Sequence, residues 1–310
     1  MYHQFISIFL LACLTLPLAA CGSSMTKGSL SSPTTMNKSI PVDGSNRTYR
    51  IHIPARQDSG QPLPLIIALH GAFSSARKME QLSGFSTLAD KEKFVVVYPN
   101  GIGLLGFLRH WNAGFCCGRA MSANWNDIGF LLRLIEDIPE QFPVDRQRIY
   151  LVGMSNGGML AHRFAAEYPD RIAAVTLVAA AVGARWSKEE EMQIIDPPTM
   201  PVPALIIHSR DDPTIPFEGG RSDNRKDVEY LGPDDAVRFW RKANHCEHLP
   251  ATDTRWQVDG SDLTRWSDCM EGTEVALLAL DQGGHAWPVD PVDGAETAWS
   301  FMSRFSRGFR

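Results

Sequence analysis

Short apolar runs alternate with stretches of helical spacing along most of this chain. Two runs, PLPLIIALHG and FVVVYPNG, end in glycine, as fully buried parallel strands often do. Between them SARKMEQLSGFSTLADKEK has the spacing of a helix, and NDIGFLLRLIEDIPEQF carries an apolar stripe along one helical face. Strands that alternate with helices predict an α/β fold, with a mostly parallel sheet and helices on both of its faces.

The second half of the chain continues the alternation. Its predicted elements are, in order, the strand RIYLV, the helix GGMLAHRFAAEYP, the strands IAAVTLVAA and PALIIHS, the helix DDAVRFWRKAN, the strands LTRWSD and EVALLAL, and the helix AETAWSFMSRF. Near the start of the domain, RTYRIHIP predicts an edge strand. Residues 100–124 and 183–202 match no regular element, and we expect these long loops to rise over the carboxyl ends of the strands, where α/β folds bind ligands.

Composition indicates one large globular domain. The chain has 310 residues, of which 44% are apolar, enough to bury a large core. The formal net charge is −5 and Lys and Arg form no cluster. Nucleic acid is therefore excluded as a partner, because its phosphates require a basic surface.

The first residues predict export. Residues 1–20 contain an apolar stretch that is too short and too interrupted by proline to span a membrane, which is typical of a signal peptide. The stretch ends in LAAC, which resembles a bacterial lipobox, and that resemblance implies cleavage before Cys21 and lipidation of its thiol. The leading MYHQF lacks the usual basic residue, so ordinary secretion with cleavage nearby is the alternative. Both interpretations export the protein.

A tether separates this leader from the domain. Residues 21–39 are rich in Ser and Thr and contain little that could pack, so we predict a flexible tether there and a catalytic domain over 40–310. Membrane contact is then expected only through a lipid at Cys21. The sequence does not indicate an oligomeric state.

Four cysteines remain inside the predicted domain, which allows three pairings. Cys246 and Cys269 flank a predicted strand pair, and we expect a disulfide between them. Cys116 and Cys117 are then bonded to each other or free. Four reduced thiols are the alternative, which an oxidising compartment disfavours.

The stretch IYLVGMSNGGML raises the question of a nucleophile. It places Ser155 in a G-x-S-x-G pattern between an apolar strand and a helix. The pattern alone is weak, and a flexible turn would also explain its glycines. A strand-turn-helix junction, however, holds a central serine clear of the sheet, and the helix N-terminus favours developing negative charge.

A serine nucleophile requires a histidine base and an acid that orients it. In this kind of fold they follow the serine in the order acid, then histidine, each just after a strand. Asp211 and Asp212 follow the apolar run ALIIH, and His285 follows VALLALDQ in a glycine-rich loop. The chain therefore contains the required residues in the required order.

Five blocks carry a wider resemblance: LHG, WNAGFCCG, GMSNGGM, HSRDDPTIPF and GGHAWP, spread over residues 45–287. With them the chain resembles α/β-hydrolases of the polyhydroxybutyrate depolymerase and feruloyl esterase group. That group usually reads HGTADP where this chain has HSRDDP. Alignment on the proline selects Asp212 as the acid and puts Asp211 where a small residue is usual.

The resemblance implies a role for each residue. Ser155 attacks an ester carbonyl, His285 transfers the proton, and Asp212 orients His285. The backbone N–H groups of Asn156 and Ala72 form the oxyanion hole. No cofactor is expected, and no metal, because HCEH at residues 245–248 lacks further ligands.

The substrate is less defined. Trp287 and Trp111 are candidates for an aromatic acyl pocket, with core packing as the alternative. We expect no separate polymer-binding domain, which favours hydroxybutyrate-type oligomers or feruloyl and acetyl esters of polysaccharide. Two other functions remain open: an envelope lipoprotein that binds ligand without catalysis, and a serine peptidase of the same fold.

Overall fold

The computed structural model describes residues 32–55, 61–104, 106–246, 251–252 and 260–308. The predicted signal peptide and Cys21 lie outside these residues. Within them, no helix has the length and apolar character needed to cross a membrane.

A ten-stranded sheet forms the centre of the molecule, and six further short strands of the described residues lie outside it, four in one small sheet and two in another. The strands, in chain order, are β1 (Thr34–Val42), β2 (Ser45–Ile53), β3 (Leu63–Leu69), β4 (Val95–Pro99), β5 (Ile102–Leu104), β6 (Phe107–His110), β7 (Val144–Met154), β8 (Ala174–Val178), β9 (Gly183–Arg185), β10 (Gln193–Ile194), β11 (Ala204–Ser209), β12 (Gly220–Arg221), β13 (Glu229–Tyr230), β14 (Ala251–Thr252), β15 (Ser261–Trp266) and β16 (Val275–Leu280). The order across the large sheet is β1-β2-β4-β3-β7-β8-β11-β16-β15-β14. Its central strands from β4 to β16 pair in parallel, and both edges are antiparallel. The predicted mostly parallel sheet is confirmed.

Helices cover both faces of this sheet. They are α1 (Ala76–Ser83), α2 (Phe85–Glu92), α3 (Gly118–Ser122), α4 (Asp127–Gln141), α5 (Asn156–Glu167), α6 (Pro233–Ala243) and α7 (Gly294–Met302). Successive strand residues point to opposite faces, so Leu65 and Ile67 belong to the core under α4, α5 and α6. Ile66 and Ala68 belong to the core under α1, α2 and α7. Continuous apolar runs are therefore buried from both sides, as the sequence predicted.

The predicted tether is wrong in its second part. Residues 34–39 belong to β1, which pairs antiparallel with β2 along its whole length and forms the true edge of the sheet. The stretch RTYRIHIP lies in the second strand instead of at the edge. Every second residue of β1 is partly or fully buried. Because the segment is short and mostly polar, its sequence gives little indication that it pairs with β2.

The helix predicted between β3 and β4 is two helices. Gly84, with a φ of +75°, ends α1 and begins α2. Glycine adopts this left-handed conformation without the steric penalty that other residues incur, so the chain changes direction there.

The carboxyl ends of four parallel strands bring the candidate residues to one edge of the sheet. In the register of neighbouring strands Leu69 lies opposite Gly153 and Ser209 opposite Leu280. The loops that follow β3, β7, β11 and β16 therefore leave the sheet on the same side. The long stretch after β4 contains the hairpin β5–β6 and the short helix α3.

Candidate active site

Ser155 lies on a strained turn between β7 and α5. Its φ of 53° and ψ of −124° are sparsely populated for a residue with a side chain. The glycines on either side allow this turn: a Cβ on Gly153 would lie 2.3 Å from the Gly157 carbonyl oxygen, and one on Gly157 would lie 2.4 Å from the His70 carbonyl oxygen. The G-x-S-x-G pattern is thus explained by close backbone packing that raises the serine above the sheet.

Three side chains from distant strand ends form one hydrogen-bonded line. His285 Nδ1 lies 2.8 Å from Asp212 Oδ2, and His285 Nε2 lies 2.7 Å from Ser155 Oγ. A carboxylate can only accept, so Nδ1 carries the proton and donates to Asp212. Nε2 is then free to accept the Ser155 hydroxyl proton, which is the arrangement that a general base requires.

The surroundings of Asp212 keep it ionised. Burial by itself raises the pKa of a carboxyl group, but N–H groups of His208 and His285 and the amide of Ile215 outweigh it and hold the pKa of Asp212 well below its ordinary value. The amides of Thr214 and Ile215 donate to its other oxygen at 2.8 and 3.0 Å. Asp212 is buried, whereas His285 remains partly open to solvent.

Asp211 has a different partner from its neighbour. Its Oδ1 accepts a hydrogen bond of 2.8 Å from the amide of Gly284, the residue before His285. The two carboxylates therefore hold the same loop at two points, Asp212 on the imidazole ring and Asp211 on the backbone. The structure thus places Asp212, and not Asp211, against His285.

Two backbone amides lie beside the serine. Gly71 is close enough that a Cβ there would stand 3.4 Å from Ser155 Cβ, so the turn at Ala72 borders the nucleophile. Within the described ranges, the amides of Ala72 and Asn156 donate to no atom of the protein, whereas Phe73 donates to Arg109 and Ser74 to Gly71. Unused donors beside a nucleophile are what an oxyanion hole needs.

Both candidate tryptophans are buried, which favours core packing, the alternative, over a place in an open acyl pocket. Trp287 is buried, and its ring packs edge-on against Phe85, with centroids 5.6 Å apart. Trp111 is fully buried, and its indole Nε1–H donates to the His70 carbonyl at 2.8 Å. Each ring turns into the protein interior, which sequence proximity to the site does not reveal.

His70 ends β3 and holds the turn that follows. Its Nε2 accepts from the Gly101 amide at 3.0 Å, so Nδ1 carries the proton and donates to the Gly71 carbonyl at 2.7 Å. Burial lowers the pKa of His70 to about 4, so the ring is neutral near pH 7. This histidine therefore supports the turn at Ala72 and is not positioned as a base for Ser155.

The order of the sheet and the helices on its two faces define an α/β-hydrolase. A solved acetyl xylan esterase from Aspergillus awamori superposes with a TM-score of 0.57 at 14% sequence identity, over 86% of this chain and 99% of that one. At this identity the likeness shows the fold.

Sequence comparison shows the family. The model for Esterase PHB depolymerase matches residues 48–213, more than half of the chain, and the chain belongs to that family. It is therefore a carboxylic ester hydrolase. Feruloyl esterase B of Piromyces equi is 27% identical over 84% of this chain, and poly(3-hydroxyalkanoate) depolymerase C of Paucimonas lemoignei is 30% identical over 41%. The chain spans 45% and 30%, respectively, of the lengths of these two relatives.

Proposed function

We propose that the protein is an exported serine esterase that works through an acyl-enzyme on Ser155. One observation carries this proposal, the continuous hydrogen-bonded line from Ser155 Oγ through His285 to Asp212. The strained turn under Ser155 and the unused amides of Ala72 and Asn156 support it.

The geometry supports a two-step hydrolysis. Ser155 Oγ attacks the ester carbonyl carbon as the hydroxyl proton passes to His285 Nε2. The former carbonyl oxygen becomes negatively charged and accepts hydrogen bonds from the amides of Ala72 and Asn156. His285 then protonates the departing alcohol, leaving an acyl group on the serine. Water attacks this acyl-enzyme with His285 again as base, which releases the acid. Asp212 remains a carboxylate and stabilises the protonated imidazole.

The rim of the site supports a substrate with an apolar part. Phe73, on the turn that borders Ser155, is 62% exposed, and its ring meets His110 edge-on at 4.6 Å. The adjoining hairpin exposes Phe107 and Leu108. We propose feruloyl esters and hydroxybutyrate-type oligomers as the substrates, with acetyl esters as smaller members of the same reaction class.

Export is proposed from the leader and agrees with the cysteines. Cys246 and Cys269 are paired in the structure, which joins the end of α6 to the turn before β16. Cys116 and Cys117 also face each other. Paired cysteines are typical of exported proteins, whereas reducing cytosol disfavours them.

The test is a panel of p-nitrophenyl acetate, methyl ferulate and hydroxybutyrate trimer, measured with wild type and Ser155→Ala. We expect wild type to hydrolyse at least one ester and the variant to lose at least about a thousandfold in kcat, because the nucleophile is gone. Ser300→Ala on α7, remote from the triad, controls for the loss of a serine hydroxyl. Equal rates in wild type and Ser155→Ala would reject the acyl-enzyme. Ligand binding without turnover would favour the binding lipoprotein instead.

A further inference from the structure

The two proposed oxyanion donors belong to different segments, and something must fix their separation. Ala72 lies after β3, whereas Asn156 opens α5. The backbones of the two segments approach closely, since a Cβ on Gly157 would lie 2.4 Å from the His70 carbonyl oxygen and 2.7 Å from that of Leu69. A side chain from elsewhere in the chain bridges the two segments.

Trp111 supplies that bridge, and its main chain and the side chain of Asn156 exchange two hydrogen bonds. The Trp111 amide donates to Asn156 Oδ1 at 2.7 Å, and Asn156 Nδ2 donates to the Trp111 carbonyl at 3.0 Å. Each amide atom has only one suitable partner there, so the orientation of the Asn156 side chain is determined. Both residues are fully or almost fully buried, so water does not compete for these bonds.

Trp111 is also hydrogen-bonded to the segment that follows β3. Its indole N–H donates to the His70 carbonyl at 2.8 Å, and the centroids of the Trp111 and His70 rings lie 4.9 Å apart. The imidazole of His70 in turn donates to the Gly71 carbonyl, immediately before Ala72. One residue is thus hydrogen-bonded to the segments that carry both proposed donors.

Trp111 is itself held in place. The amide of Asn112 donates to Asp127 Oδ2 at 2.8 Å, and Asp127 forms a buried ion pair with Arg47 of β2 at 2.5 Å. The segment around Trp111 is therefore attached to α4 and to the edge half of the sheet. A displacement of the indole would have to break several buried hydrogen bonds, each costly to leave unmade.

We propose that Trp111 and the Asn156 side chain form a clamp that sets the spacing of the Ala72 and Asn156 amides, and so act as positioning residues for the oxyanion. The inference rests on the proposed esterase function. Donors to an oxyanion must lie at hydrogen-bond distance from the atom on which negative charge develops. A small displacement of a donor therefore reduces the stabilisation of the transition state more than it reduces substrate binding. The clamp residues touch no reacting atom with their side chains.

The structure offers two matched controls elsewhere in the fold. Trp240 is fully buried and donates its indole N–H to the ring atom Nδ1 of His162 at 3.1 Å, whereas Trp111 donates to the backbone carbonyl of His70. Asn244 is fully buried and exchanges two hydrogen bonds with the backbone of Val202, at 2.9 and 2.7 Å. Loss of either removes an equivalent buried contact that does not touch the candidate site.

The experiment compares Trp111→Phe with Trp240→Phe and Asn156→Ala with Asn244→Ala. We expect the two clamp variants to lose about tenfold to a hundredfold in kcat with KM changed less than about twofold, since a displaced donor retains part of its effect. The affinity for a boronic acid, which mimics the tetrahedral intermediate, should fall by the same factor. The controls should keep kcat within about twofold while losing a similar amount of thermal stability.

A folded clamp variant with wild-type kcat would overturn the clamp, and so would controls that lose as much activity. If Trp111→Phe fails to fold, Asn156→Ala decides, because it leaves the indole in place and adds no charge beside the oxyanion. A wild-type protein that hydrolyses no ester overturns the proposed function and the clamp together. An active wild type with unaffected clamp variants overturns the clamp alone.

Discussion

Two buried histidines predict a steep loss of stability in mild acid. Burial lowers the pKa of His70 to about 4 and that of His162 to about 3, from an ordinary value of 6.5. Below pH 6.5 both histidines bind protons in the unfolded chain but remain neutral in the folded protein. Stability therefore falls as the pH drops from 6.5 towards the folded-state pKa values, because the unfolded state binds more protons over this window.

The magnitude follows from the size of the two shifts. One pKa unit corresponds to 1.36 kcal/mol, so the full effect is about 3 kcal/mol for His70 and about 5 kcal/mol for His162. At pH 5 only part is realised, about 2 kcal/mol for each residue. Their sum at that pH is a large fraction of the about 5–15 kcal/mol that stabilises a typical domain.

The assay is denaturant unfolding of wild type and His162→Asn at pH 7, 6 and 5. Asparagine can still accept the Trp240 indole N–H but does not titrate in this range. We expect wild type to lose about 4 kcal/mol through these two residues between pH 7 and 5, and the variant about 2 kcal/mol less. The exposed His245→Asn is the matched histidine substitution. An identical pH dependence in wild type and His162→Asn would refute the reasoning, as would an equal change in His245→Asn.

Two further outcomes are expected. Asp211→Ala should lower kcat about fivefold with KM unchanged, because the Gly284 amide loses its acceptor. Asp211→Asn keeps an acceptor oxygen and should retain most of the wild-type rate. Steady-state kinetics that show both variants equally impaired would contradict this role. Cys21→Ser should move the protein from the membrane fraction to the soluble exported fraction, because a lipid anchor needs the thiol; a wild type already absent from membranes would contradict lipidation.

The candidate residues that follow strand ends can be predicted from the sequence. Ser155, Asp212 and His285 each follow an apolar run, and parallel strands end at one edge of a sheet. Their approach could thus be predicted from local patterns and chain order. In the sequence only a neighbouring proline distinguishes Asp212 from Asp211, whereas in the structure Asp212 contacts His285 and Asp211 contacts the Gly284 amide.

Several contacts could not be predicted because they join segments far apart in the chain. Trp111 meets Asn156 and His70 across 45 and 41 residues, and Arg47 meets Asp127 across 80. No periodicity records such distances. For the same reason the sequence does not distinguish a pocket from core packing for Trp111 and Trp287, since a residue type gives size and polarity but not the direction in which a ring turns.

The sequence alone determined the alternation of strands and helices and the order of the candidate residues, since hydrophobic periodicity acts within a few turns or strand residues. Tertiary structure decided that residues 34–39 pair with β2, that both tryptophans face inward, and that Trp111 joins the two sides of the oxyanion site. These features depend on where the chain returns to itself, and burial against a distant segment gives no signal until that segment is in place.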